Sequence, residues 1–561
     1  MTRAHSSRAR GVSAISTLLL LAVLLTSSAT LAVVHAAPKT QTKTKVLILG
    51  AGVAGVTAAR TLTANNITDY LILEAQDVIG GRLKQAPLGD VKIESALPNL
   101  VIKCSLWAWV VFDGVVVITL ASTACIVGGN WVEGVGGKVE NPVWALAKQY
   151  GLKTTKTVLE DRITIMADGK LDTSDVNKEW DEKFAKAQEI IADHARRGLE
   201  DISTRTALLM AGWRLKSPLH DLYEYFEIDY EFCSDASINS GFYTADISTF
   251  EEYGEDNMFV TDQRGYKFIA EKLLEEAQAK NKVRFNQRVT DVVYDKSGVT
   301  VTTRDGSIYR ADYVISTFSL GVYQENEVSF TPPLPEWKTE ALFKFRMEIY
   351  QKIFLNFPRK WWSNNTFTLF ASERKGYYPI WQNVMAPGYF EPASDGKRNI
   401  IMVTLTGNEA TRAERLTNDQ IIDEVMAVLR QMYPGQEIPR PTDIVVPRWK
   451  ADPLFHGSFT NWPLGMTLES WENLVAPLNK RFFFSGEMAS LTMFGYVHGA
   501  LDAGQTTASQ VVQCIKSKCP TFKYFPTGLK ACAQRPTTLR RREQGPRGHV
   551  VMSTGQEGVE I

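Results

Sequence analysis

Residues 45–82 read KVLILGAGVAGVTAARTLTANNITDYLILEAQDVIGGR. An apolar, β-rich run, Val46–Leu49, feeds directly into Gly50-x-Gly52-x-x-Gly55. A helical period follows at Val56, Ala59 and Leu62, and a second apolar run, Tyr70–Leu73, ends at Glu74. This is the order of a dinucleotide-binding βαβ unit. The first glycine makes a tight turn, the second lets the backbone approach a pyrophosphate, and the third lets the helix pack close to the strand. The helix N-terminus offers unpaired N–H groups and partial positive charge to the phosphates. Glu74 stands about 20 residues beyond the glycines, where a carboxylate accepts a ribose hydroxyl. Gly80-Gly81-Arg82 follows closely and directs the reading toward FAD. A glycine-rich turn alone is a weak signal. Strand, glycines, helix, strand and acid in that order make a strong one.

The chain has 561 residues, too many for one simple core, so two large domains are expected. Apolar residues are 44% and charged residues 22%, as in ordinary globular proteins. Lys+Arg and Asp+Glu both number 62. The zero net charge argues against a polybasic nucleic-acid binder. Residues 1–36 carry Arg3, Arg8 and Arg10, then the apolar Leu18–Leu25, then Val34-His35-Ala36. That pattern reads as a cleaved secretory signal, with a retained anchor as the alternative. In a secreted chain, Asn66-Ile67-Thr68 and Asn364-Asn365-Thr366 are glycan acceptor sequences. The six cysteines show no metal-site spacing, and no metal is expected. Cys514 and Cys519 are close enough to pair in an oxidising compartment, and Cys233 reads as a buried, inert thiol.

One segment does not fit. Residues 96–127 include Leu106–Val127, whose one charge is Asp113. By hydropathy this stretch is long enough to span a bilayer. It separates GDVKIES from GGNWVEG. Three readings stand: a translated retained intron, a genuine insertion packed on the domain, or a membrane segment. A spanning helix would draw the GGNWVEG loop into a bilayer, so no stable membrane anchor is expected. The tail from Thr537 to Ile561, rich in Arg, Gly, Gln and Ser, reads as disordered.

Elsewhere, Asn141–Tyr150 has an Asn cap, a first-turn Pro and an apolar period, and reads as a helix. Residues 175–230 are mostly helical in period. Phe259–Tyr266 reads as a loop entering a helix Lys267–Ala279. Val283–Phe285, Val289–Tyr294, Val299–Thr303 and Tyr313–Ser316 read as strands returning to the dinucleotide-binding sheet. Ile349–Phe357 alternates, with Tyr350, Lys352, Phe354 and Asn356 on one face. Ile400–Thr406 and Arg481–Ser485 are further strands, and Gly495–Gly504 opens the last helix.

Taken together, GAGVAG, LEAQDVIGGR, GGNWVEG, DYEF, DQRGY, YQKIFLNFP, GSFTNWP and FFFSGE…GYVHGA resemble the flavin-containing amine oxidases. Within that superfamily the chain is most similar to the secreted polyamine oxidases of plants and fungi. The resemblance runs from about Lys45 to about Cys519, apart from the insertion. It implies an α/β fold: a Rossmann-like, glutathione-reductase-type FAD-binding domain plus an α+β substrate domain, discontinuous in sequence. The FAD domain would comprise residues 44–155, 265–346 and 449–520, and the substrate domain residues 156–264 and 347–448. It implies non-covalent FAD, contacted by Gly50, Ala51, Gly52, Gly55, Glu74, Gly81, Arg82, Val289, Trp449, Glu487 and Tyr496. No cysteine lies between Ser485 and Tyr496 to form a flavin thioether. Arg82 is suited to offset pyrophosphate charge, and Glu487, at a strand end, to accept the flavin's ribityl or ribose hydroxyls.

The implied substrate is a polyamine, a long cation that wants carboxylates and aromatic faces along a narrow tunnel. Glu133 and Glu231 match the family's acidic tunnel residues. Phe459 and Tyr496 match the aromatic pair beside the reactive carbon. Trp131, Tyr230 and Tyr350 join the substrate site. Cys233-Ser234-Asp235 departs from the family's usual sequence after Glu231. Lys352 matches a lysine that holds a water at the flavin N5, where burial would depress its pKa. The catalytic set is therefore Lys352, Glu133, Phe459 and Tyr496, with dioxygen as the second substrate. The resemblance leaves alternatives: a monoamine or L-amino-acid oxidase, or an inactive secreted homologue disabled by the insertion. An L-amino-acid oxidase would want an arginine for the substrate carboxylate. A histone-lysine demethylase would carry helical scaffolding domains.

Overall fold

The computed structural model describes residues 41–88, 91–94, 123–126, 129–244, 252–390, 396, 398–525 and 559–560. The expected signal segment, most of residues 96–127 and most of the C-terminal tail lie outside the described residues.

Strand β1 (Gln41–Leu49), helix α1 (Val53–Ala64) and strand β2 (Tyr70–Leu73) form the βαβ unit read from the sequence. Val46 sits opposite Tyr70 in the parallel β1–β2 register, and opposite Tyr313 on the other side of β1. The sheet has eight strands. Its order is Val283–Arg284, β2, β1, Ile308–Ser316, Val299–Thr303, Val289–Tyr294 and Ser329–Thr331, with Phe482–Phe484 also paired to Ile308–Ser316. The expected returning strands therefore all join the first unit. One of them, expected to start at Tyr313, begins at Ile308 instead, because Ile308–Ala311 pair with both β1 and the antiparallel Val299–Thr303. Both faces are covered, so β1 reads as continuous apolar sequence rather than alternation. Val46 and Ile48 pack with α1 and the last helix, Val497–Ile515, whereas Leu47 and Leu49 face the other core.

The glycines set two close approaches. A Cβ at Gly55 would stand 2.0 Å from the Gly50 carbonyl oxygen. A Cβ at Gly504 would stand 2.3 Å from the Ala54 oxygen, where the last helix crosses α1.

A second sheet has six strands, in the order Asp443–Val445, Tyr350–Asn356, Ile400–Thr406, Ile380–Gln382, Phe367–Ala371 and Arg162–Met166. Helix Asn418–Met432, opened by a Thr417/Gln420 capping box, packs Ile421, Val425 and Leu429 against Ile353, Val403 and Leu405. The opposite face of the Tyr350 strand sends Phe354 toward Phe259 and Tyr389. A strand buried on both faces carries Lys352 into the interior, where simple alternation would have left it facing solvent.

A small sheet joins Trp131–Val135, Asp256–Val260 and Thr154–Lys156. Phe259 and Val260 thus end a strand, which corrects the loop reading of Phe259–Tyr266: pairing with Trp131 and Thr155 holds them extended. The following helix runs Phe268–Glu276, shorter than expected. Residues 176–232 are largely helical and include a π-helical turn, Tyr225–Asp229, immediately before Tyr230–Phe232. Thr123–Ile126, the end of the anomalous segment, pairs with Gln85–Leu88 and Val91–Glu94. In the C-terminal tail, Val559–Glu560 pair with Lys523–Tyr524. Cys514 and Cys519 are disulfide-bonded, and Cys233 is free and buried. Among the described residues no helix is long and apolar enough to cross a membrane.

Candidate active site

One cavity of about 330 Å³ brings the two sets of predicted residues together. One end is lined by Gly50, Gly52, Glu74, Gly81, Arg82 and Val289. The other holds Trp131, Glu133, Tyr230, Glu231, Tyr350 and Lys352, with Phe459 and Tyr496. Trp449 and Glu487 line the same cavity.

At the first end, the loop after β1 turns at Gly50, whose φ is +108°, a conformation that favours glycine. The Gly50 N–H donates to Leu73 O at 2.8 Å, tying the turn to β2. Glu74 is buried and accepts from the Ala51 N–H at 2.7 Å and the Gln76 N–H at 2.9 Å. Burial pushes its carboxyl above the usual range, and these bonds oppose the rise. Ala51 and Gly55, expected among the FAD contacts, sit behind the residues that line the cavity. Ala51 spends its N–H on Glu74 and its carbonyl on the Gly80 N–H, while Gly55 lies beneath the Gly50 carbonyl. Both shape the loop from behind.

Arg82 and Glu487 form an ion pair at 2.8 Å. Arg82 also donates to Ser458 O at 2.9 Å. Glu487 has both oxygens engaged: Thr460 donates to Oε1 at 2.9 Å, beside Arg82, and the Gly495 N–H donates to Oε2 at 2.8 Å. Its principal visible work is therefore to fix Arg82 and the turn before Tyr496. A glycine loop at a helix N-terminus, a buried carboxylate facing the second strand end and a held guanidinium form the donor and acceptor set a dinucleotide needs. The residues present fit FAD.

The second end is acidic and aromatic. Trp131–Val135 presents Trp131 and Glu133, while the turn after the π-helical segment presents Tyr230 and Glu231. Burial chiefly, then the neighbouring Glu231, pushes Glu133 up to about 8, with Lys352 opposing. Burial also raises Glu231, although Tyr496 Oη donates to its Oε1 at 2.5 Å. Burial holds the phenols of Tyr230, Tyr350 and Tyr496 above their usual range, so they remain neutral. The Tyr230 and Tyr350 rings lie 5.5 Å apart, and Tyr350 and Phe459 6.1 Å apart. Lys352 is 6% exposed, with Nζ 4.5 Å from the Trp131 ring centroid and 5.1 Å from that of Tyr350.

Several lining residues carried no sequence signal of their own. Asn130, Thr157, Asn257 and Phe367 all face the cavity. Thr157 accepts from Trp131 Nε1 at 2.9 Å and so orients the indole. The tertiary fold, not local sequence, brings these positions to the site. Asn130 alone sat inside a motif, GGNWVEG, where a buried polar residue next to the site tryptophan was a usable cue.

The fold and site define a flavin-dependent amine oxidase. The chain belongs to the flavin-containing amine oxidoreductase family, whose profile matches residues 127–512, and a Rossmann-like NAD(P)-binding profile matches residues 48–105. It is similar to polyamine oxidase 1 of Zea mays, at 34% identity over 84% of this chain and 91% of that protein. It is likewise similar to polyamine oxidase 7 of Oryza sativa subsp. japonica, at 36% identity over 82% and 93%. A solved putrescine oxidase, bound to putrescine, shares the fold with a TM-score of 0.63 at 18% identity, over 84% of this chain and 99% of that one. The cofactor is FAD, held without a covalent bond.

Proposed function

We propose that this chain oxidises spermine- and spermidine-type polyamines, releasing an aminoaldehyde, an amine and hydrogen peroxide. The observation that carries the reading is the pairing of Glu133 and Glu231 inside an aromatic-walled cavity continuous with the FAD end. A buried carboxylate pair wants a cation. A substrate ammonium supplies it, and an amino-acid carboxylate would meet two acids there. The polyamine oxidase relatives support the same class.

Bound FAD supplies hydride acceptance from the carbon beside the amine nitrogen and reoxidation by dioxygen to hydrogen peroxide. The chain does the rest. Glu133 and Glu231 hold a distal ammonium and set how far the polyamine enters. Phe459 and Tyr496 confine the reacting carbon, which lowers the entropic part of the barrier. The reacting nitrogen enters neutral, since its lone pair drives hydride loss. The buried walls exclude water until the imine leaves and hydrolyses. Lys352 holds and exchanges a proton at Nζ.

The test is direct. Purified protein should show visible flavin absorbance and make peroxide with spermine or spermidine faster than with a monoamine or an L-amino acid. Absence of bound FAD, or preference for an L-amino acid, would sink the reading. We propose secretion on the signal-like N-terminus, with Asn66 and Asn364 exposed on the folded surface as glycan acceptors. N-terminal sequencing of protein from culture medium, starting near Ala37, is the result expected.

A further inference from the structure

Lys352 is held by an amide. Its Nζ donates to Asn130 Oδ1 at 2.5 Å, across 222 residues of sequence. Asn130 is completely buried, and its carbonyl accepts the Val260 N–H at 2.8 Å, which locks the residue to the small sheet. Lys352 is locked in turn by the opposite register of Thr404 in the second sheet. The small sheet and the second sheet therefore meet through this hydrogen bond. Among the described residues, the titratable groups whose fields reach the ammonium include Glu133 from the small sheet and Cys233 from the turn after Glu231; Tyr350, on the lysine's own strand, presents its ring. Glu231 acts on Glu133 in turn and raises its carboxyl. Burial keeps the Cys233 thiol and the Tyr350 phenol neutral.

We propose that Asn130 is the positioning residue for Lys352: its amide oxygen fixes the ammonium against the Trp131 ring as a neutral acceptor, so that the lysine keeps its place and stays free to release its proton. The inference rests on the amine-oxidase reading of this cavity. The physical reason lies in the choice of acceptor. A carboxylate within hydrogen-bond distance stabilises an ammonium far more than an amide does, and locks the proton on. An apolar residue would leave the ammonium without its fixed partner. An amide gives geometry without a full counter-charge.

Asn130→Asp and Asn130→Ala test this against Lys352→Met. Competitive acetylation across pH, read by mass spectrometry at the Lys352 peptide of substrate-free protein, gives the lysine's own titration midpoint. In Asn130→Asp that midpoint should rise by about 1–3 pH units, and the lysine-dependent limb of the pH–rate profile should move with it. In Asn130→Ala, turnover should fall about tenfold or more while FAD content is unchanged. An unmoved midpoint in Asn130→Asp overturns the inference, as does wild-type turnover in Asn130→Ala. If Lys352→Met turns over like the wild type, the catalytic reading of the lysine fails. The acetylation midpoint, measured without substrate, still decides the Asn130 contact.

Discussion

Glu133 shows how one residue's environment trades stability against function. Its folded pKa, about 8, lies above the ordinary carboxylate value. The folded chain therefore binds more protons than the unfolded chain between those two values. Stability contributed at this site is greatest at low pH and falls as pH rises toward 8. Glu133→Gln removes that liability. Its thermal midpoint at neutral pH should equal or exceed the wild type's, and its stability should depend less on pH between 5 and 8. Its KM for spermidine should rise about 10- to 100-fold, the loss of one charge-assisted hydrogen bond. Melting curves across pH, set beside steady-state kinetics, check both halves. A lower melting midpoint with unchanged KM would contradict this account. The sequence picked out Glu133 through a motif. It gave no sign of the raised pKa, which arises chiefly from burial in the fold and then from Glu231, 98 positions away.

At the scale of elements, the glycine loop and the helix after the site loop are the two sensitive places. Gly55→Ala would drive a Cβ to 2.0 Å from the Gly50 oxygen, inside any allowed contact, so α1 must shift away from β1. The expected outcome is loss of most bound FAD, read as the ratio of visible flavin to protein absorbance after desalting, in a chain that remains helical by circular dichroism. Asn141 does two jobs. Its Oδ1 accepts from the Val143 N–H at 2.8 Å, capping helix Pro142–Gln149, and its Nδ2 donates to the Glu133 carbonyl at 2.7 Å. Asn141→Ala should cost about 1 kcal/mol of stability for the cap, measured by denaturant unfolding. It should also weaken polyamine binding, because the Glu133 backbone loses its tether. The cap was legible from Asn-Pro ahead of an apolar period. The tether was not, since a side-chain bond back to a preceding strand leaves no periodic trace.

At the scale of the molecule, the cofactor end is closed by a bond between residues 405 positions apart, Arg82 and Glu487. Glu487 also holds Thr460 and the Gly495 N–H, so one carboxylate joins the first βαβ unit to the segments carrying Phe459 and Tyr496. Glu487→Gln keeps the shape but loses the charge that holds the Arg82 guanidinium. FAD should dissociate at least tenfold more readily, and the variant should regain less activity than wild type after dilution unless FAD is added. Titration of the FAD-free protein with FAD, followed by flavin fluorescence, measures this. Equal affinity would show that Arg82 is held by Ser458 alone. The resemblance gave both residues to the flavin, whereas the structure pairs them with each other first.

The βαβ unit, its glycines and Glu74 were decided by local sequence, because a tight turn, a helix start and a strand end are short-range requirements written in neighbouring residues. The class of chemistry was legible too, since motifs such as GGNWVEG and YQKIFLNFP keep their order along the chain. What only the tertiary structure decided is which groups touch. It buried Lys352 between two sheets, gave it Asn130 as a partner, raised the Glu133 and Glu231 carboxyls chiefly by burial, and set Ala51 and Gly55 behind the glycine loop. Those outcomes depend on long-range packing and on the loss of water around buried charges, which no stretch of sequence encodes by itself.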